Sequence, residues 1–168
     1  EGLIYISDEF THRISVFNHS GDFQSKWGVH GQRNGELDGP SSIAFDNEDN
    51  MFVVDHRSNR IQKFTKDGEY LDGFGSEGQN NGEFNLPWGI TIDIQGLIYV
   101  SDWRNDRIQK FSPDGEFLAK FGSSGRGDGE FIRPSNVAVD EDGYIYIADW
   151  GNERVQVLDQ NGGFIMKL

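Results

Sequence analysis

The chain has 168 residues, a formal charge of −13 and no cysteine, so a disulfide framework and a cysteine-held zinc site are both excluded. The acidity repels a phosphate backbone, and an aromatic share of 13% argues against disorder. No apolar run approaches the roughly 20 residues that cross a bilayer, and no signal-peptide pattern precedes the first strand.

Taken in chain order, one pattern opens at Tyr5 to Arg13 and returns at Phe52 to Arg60, Tyr99 to Arg107 and Tyr146 to Arg154, always 47 residues on. Gly21, Gly68, Gly115 and Gly162 keep the same step, as do Pro40, Pro87 and Pro134. A period of this length marks a structural unit. The first unit, over residues 1–28, predicts three strands. The units over 39–75, 86–122 and 133–168 predict four each. In the third unit these are Pro87 to Asp93, Leu97 to Ser101, Arg107 to Ser112 and Glu116 to Phe121, named a to d from the centre outward. Each is a short run rich in Ile, Val, Phe and Tyr, and pairs such as Asp67-Gly68, Asp114-Gly115 and Asn161-Gly162 supply tight turns between them. The b run is apolar at almost every position, which predicts a strand covered on both faces. Four antiparallel strands in a repeat of this size predict an all-β fold, the β-propeller.

Pro-x-x-Ile/Val, then Ile-Tyr-Val/Ile-x-Asp, then Asn/Asp-x-Arg-Ile/Val-Gln resembles the NHL repeat family. So does the loop ahead of strand a, Gly125 to Phe131 with its relatives from Gly78 and Gly31. The resemblance covers the whole chain and implies a six-bladed ring, about four blades of which are present. Six units need about 280 residues at this period, so the chain reads as part of a longer propeller. Open blade edges would then favour self-association.

Residues repeated in every copy are expected to serve the blade. Asp8, Asp55, Asp102 and Asp149 each precede an arginine by five residues, at Arg13, Arg60, Arg107 and Arg154. We expect four structural ion pairs joining strand b to strand c. Residues that vary between copies are the place to seek function. The b–c loop carries His56 and Arg57 in one unit, Trp103 and Arg104 in the next, and Trp150 in the last. The entry to strand a adds Trp88, Arg133 and Asn136. Both loops belong to one end of an antiparallel sheet, so these eight residues are expected to form a partner-binding face. Packing of the tryptophans between blades is the structural alternative.

No catalytic triad or phosphate-cradling loop is present, and the four histidines occupy four different repeat positions. No metal, cofactor or catalytic residue is therefore expected within the chain. The NHL resemblance implies a protein-binding module, such as the substrate-recognition part of a tripartite-motif E3 ubiquitin ligase. That setting would be cytoplasmic, whereas a bacterial relative would be extracellular or periplasmic. Two alternatives are a metal-dependent propeller enzyme, with ligands in further blades, and an RNA-binding domain. Thirteen acids against five arginines in the loops of the candidate face favour a protein or peptide partner with basic residues over nucleic acid.

Overall fold

The structure, a computed structural model, describes residues 2–168. Fifteen β-strands form four antiparallel sheets. The first sheet has three strands, β1 (Leu3–Asp8), β2 (Arg13–Asn18) and β3 (Phe23–Trp27). The second follows with β4 (Pro40–Phe45), β5 (Met51–Asp55), β6 (Arg60–Phe64) and β7 (Tyr70–Phe74). The third has β8 (Pro87–Ile92), β9 (Ile98–Asp102), β10 (Arg107–Phe111) and β11 (Phe117–Phe121). The fourth has β12 (Pro134–Val139), β13 (Ile145–Asp149), β14 (Arg154–Leu158) and β15 (Phe164–Lys167). Strand order within each sheet is the chain order, and β4, β8 and β12 lie side by side around the central axis. This is the blade arrangement of a β-propeller.

An apolar layer fills the space between each pair of neighbouring blades. Phe52, Val54, Ile61, Phe84, Ile98 and Phe111 form the layer between the second and third. Every residue of β5 and β9 is buried, as the unbroken apolar b runs require. β1 and β13 carry the same pattern but belong to terminal blades, each with one uncovered face. Ile4 and Ile6 are accordingly exposed at one end, and Tyr146 at the other.

A second device locks the blades together at the outer turn. The aromatic that ends strand d packs on the c–d turn of the next blade. Trp27 meets Gly68, Phe74 meets Gly115 and Phe121 meets Gly162, so a Cβ at any of these glycines would strike a ring. Gly21 holds the same left-handed backbone, φ +84° against +80° at Gly115, with open space beside it.

The repeated Asp–Arg motif forms in three blades. Arg60 Nε lies 2.8 Å from Asp55 Oδ2, Arg107 Nε 2.7 Å from Asp102, and Arg154 Nε 2.8 Å from Asp149. The other carboxylate oxygen accepts a backbone N–H from the loop entering strand a, namely Asp38, Asn85 or Ile132. Each arginine also donates to carbonyls of that loop, as Arg107 does to Gln79, Asn80 and Glu83. Gln62, Gln109 and Gln156 complete the clamp from strand c, bonding both the aspartate and the loop.

The expected fourth pair, Asp8 with Arg13, does not form. Asp8 Oδ1 instead accepts the N–H groups of Phe10 and Thr11, and Arg13 Nε is buried without a partner. Thr11 is the main cause that holds the Asp8 carboxyl below its ordinary range, and Arg13 is the weakest. In the other three blades both residues are bound to the loop before strand a as well as to each other. Among the described residues no such loop lies against the first blade, and Ser15 stands where the others have glutamine.

Two comparisons test these contacts. Gly21→Ala and Gly115→Ala share the backbone penalty of about 1–2 kcal/mol for a side chain in the left-handed region. Gly115→Ala should lose about 1–3 kcal/mol more through overpacking against Phe74, read as a lower urea midpoint; equal losses would deny the interlock. Asp102→Ala should cost about 3–5 kcal/mol by leaving the Arg107 charge buried alone, whereas Asp8→Ala should barely move the midpoint.

Candidate functional site

The b–c connections of the last three blades each close with one turn of 3-10 helix, at His56–Ser58, Trp103–Asn105 and Trp150–Asn152. Each turn ends on a residue with φ between 52° and 55°, namely Asn59, Asp106 and Glu153. The turns hydrogen-bond the loop entering strand a of the same blade: Arg104 N–H donates to Asn85, and Gly151 N–H to Ile132. The two loop sets thus share one face.

The same left-handed residue also reaches the next blade. Asn59 Oδ1 accepts the N–H of Leu86, Asp106 Oδ1 that of Arg133, and His12 Nδ1 that of Gly39. Asn, Asp and His are the side-chain-bearing residues that best tolerate this backbone while offering a short acceptor. This latch was hidden in the sequence because its residue changes from copy to copy. The shared signal is acceptor chemistry at a fixed step of 47 rather than identity.

Trp88, Trp103 and Trp150 converge with Ser135 on a cleft of about 330 Å³. The Trp88 and Trp103 rings stand 6.2 Å apart, tilted by 40°. Trp150 is 60% exposed and belongs to the last blade, one face of which has no neighbour among the described residues. Arg133 lies 4.9 Å and Arg104 5.7 Å from the Trp103 ring, at cation–π distance. His56 supports the group from beneath. It is buried, with its ring edge-on to Trp88 at 4.6 Å and Nδ1 3.1 Å from the carbonyl of Pro87. Burial is the main cause that pulls its pKa below 6.5, partly offset by the Pro87 bond.

Two expected members lie elsewhere. Arg57 pairs with Glu9 at 2.6 Å and approaches Asp38 at 3.7 Å, at the junction of the first two blades. Asn136 faces a separate hollow with Tyr146 and Val155 on the uncovered side of the last blade, and its Oδ1 accepts the N–H of Val137. A larger cleft of about 480 Å³ borders Ile6, Phe17 and Trp88, on the equally uncovered face of the first blade.

His12, His30 and Asp38 converge despite their different repeat positions, which the sequence did not reveal. They are the one group among the described residues with metal-ligand spacing. Asp38 Oδ1 is 3.6 Å from both His12 Nδ1 and His30 Nε2. The imidazoles, however, stack at 4.0 Å and 25°. A metal sits in the plane of its imidazole ligand, and two nearly parallel rings at this separation share no such point. The Gly39 N–H already occupies the His12 Nδ1 lone pair, and the Arg57 guanidinium adds positive charge. These residues fit a histidine stack on an ionic junction better than a metal.

Comparisons with known proteins agree with the propeller fold. Residues 93–167 match the model of DUF5128, described as a 6-bladed beta-propeller. Among solved structures the chain is similar to a streptogramin B lyase, at 17% identity and TM-score 0.73 over 99% of this chain and 50% of that one. A virginiamycin B lyase from Staphylococcus aureus, solved with quinupristin, aligns at 17% identity and TM-score 0.73 over 98% of this chain and 51% of that one. A protein of unknown function from Bacteroides thetaiotaomicron reaches 25% identity and TM-score 0.72 over 98% of this chain and 44% of that one. No curated protein matches the chain by sequence. The chain spans about half the length of these structures, and what it shares with the two lyases is the propeller fold.

The environment of His56 yields a pH prediction. Its folded pKa is lowered, so protonation favours the unfolded chain. The stability it contributes is complete above about pH 6.5 and is lost as pH falls through that value toward the lower folded one. The stability profile of His56→Gln should be flatter than that of the original protein between pH 7 and pH 5; parallel profiles would place His56 in water.

Proposed function

We propose that the chain is a binding module whose partner is a protein or peptide, seated on the face that carries Trp88, Trp103 and Trp150. The observation that supports this most is the half-open tryptophan cleft with arginines at its rim. Trp and Arg are the residues that most often dominate interface energies, because they bury large areas with few rotors. The backbone beneath the cleft is held by the buried Asp102 and Asp149 clamps, so the anchors are preorganised.

The NHL resemblance is compatible with this reading. In the ubiquitin-ligase setting that it implies, a RING domain would supply the transfer chemistry. The chain has no cysteine with which to build one, so the proposal for these residues is recognition alone.

Peptides selected from a random display library against the folded chain provide a direct test. Trp150→Ala should weaken the selected peptides by about thirtyfold or more, as expected for a hot-spot residue. Its urea midpoint should stay within experimental error of the original, since the ring is mostly exposed. Trp103→Ala should behave alike in binding. Peptides that bind both variants at full strength would move the site to another face.

A further inference from the structure

We infer that the tryptophan cleft takes an apolar side chain carried next to a carboxylate, that is, a peptide segment pairing an aromatic residue with an acidic one. This deepens the binding reading above and depends on it. The starting point is the charge around Trp103. Arg60, Arg107 and Arg154 are spent on the blade clamps, and Arg57 is paired with Glu9. The guanidiniums of Arg104 and Arg133 form no ion pair among the described residues, although the chain carries 28 acids against 15 basic residues.

The repeat explains why Arg104 is free. One blade back, the equivalent Arg57 reaches the residue 48 positions before it, Glu9. The same step from Arg104 arrives at His56, which is buried, bonded to the Pro87 carbonyl and offers no carboxylate. The interblade ion pair has been replaced by a guanidinium lying against an indole. Arg133 takes φ +52°, as Leu86 (+51°) and Gly39 (+71°) do at the same position of the earlier copies, so this backbone belongs to the repeat. The Asp106 latch holds Arg133 by its N–H, and the guanidinium rests on Trp103.

An indole wall with two unpaired guanidiniums suits a ligand group that is apolar on one side and anionic on the other. The carboxylate accepts charge-assisted bonds, and the apolar group displaces water from the cleft. Charge counted over the whole face still favours a basic partner at long range. On the Trp103 ring itself, however, the charges in contact are the two guanidiniums, while the Asp106 carboxylate is engaged by the Arg133 N–H. A nucleotide shares the same two chemical features, but a phosphate backbone needs a longer cationic track than two arginines on an acidic chain.

The test uses acetylated, amidated Gly-Ser peptides carrying one Phe-Asp, Phe-Asn or Phe-Lys pair, together with an oligouridylate. Binding is read by intrinsic tryptophan fluorescence. The Phe-Asp peptide should bind about tenfold or more tightly than Phe-Asn, and Phe-Lys more weakly than both. Arg104→Ala with Arg133→Ala should erase the preference, bringing Phe-Asp binding down to that of Phe-Asn on the same variant. Equal binding of the three peptides, lost on Trp150→Ala, would overturn the carboxylate inference and spare the binding module. Tighter binding of Phe-Lys, tighter binding of the oligouridylate, or no response to any peptide would overturn the inference.

Discussion

The fold depends on a carboxylate buried at the end of strand b. Asp102 has no exposed surface, and it accepts from the Asn85 N–H, Asn105, Arg107 and Gln109. Burial pushes the carboxyl up from its ordinary range, so the charge persists only because each lone pair has a donor. The donors come from strand c, the b–c turn and the loop before strand a. One charge therefore fixes the relative positions of three backbone segments. The arginine then reads the loop's carbonyls, which closes the arrangement.

This clamp frees the residues next to it. Asp55, Asp102 and Asp149 set the path of the chain, and the residue after each one takes no part in the clamp. That residue is His56, Trp103 and Trp150 in the three copies. The outcome is a face whose backbone repeats and whose side chains do not. His56 turns inward beneath Trp88, whereas Trp103 and Trp150 stand in the cleft. Binding modules built on repeats separate scaffold from specificity in this way.

Much of the fold was legible. The 47-residue step, the Asp-Gly turns and the fully apolar b runs are local, and together they specify strands stacked between strands. Three of the four repeated Asp–Arg pairs were legible for the same reason. The fourth was not. Asp8 and Arg13 have the right spacing, but pairing also requires a loop against which both can be held, and spacing alone does not contain that loop. The latch at His12, Asn59 and Asp106 escaped notice because what repeats there is an acceptor in left-handed backbone, written with three different letters.

The sequence by itself determined the blade and its period, because each follows from neighbours within one unit. Only the tertiary structure decided which residues meet. Arg57 and Arg104 hold the same repeat position, yet one pairs with Glu9 and the other lies on Trp103. Asn136 follows Ser135 in sequence but faces a different hollow. His12, His30 and Asp38 come together from unrelated positions. Contacts across a blade junction join residues about 27 or 48 positions apart and depend on what each neighbouring copy presents. No single repeat carries that information, since the junction is formed by two.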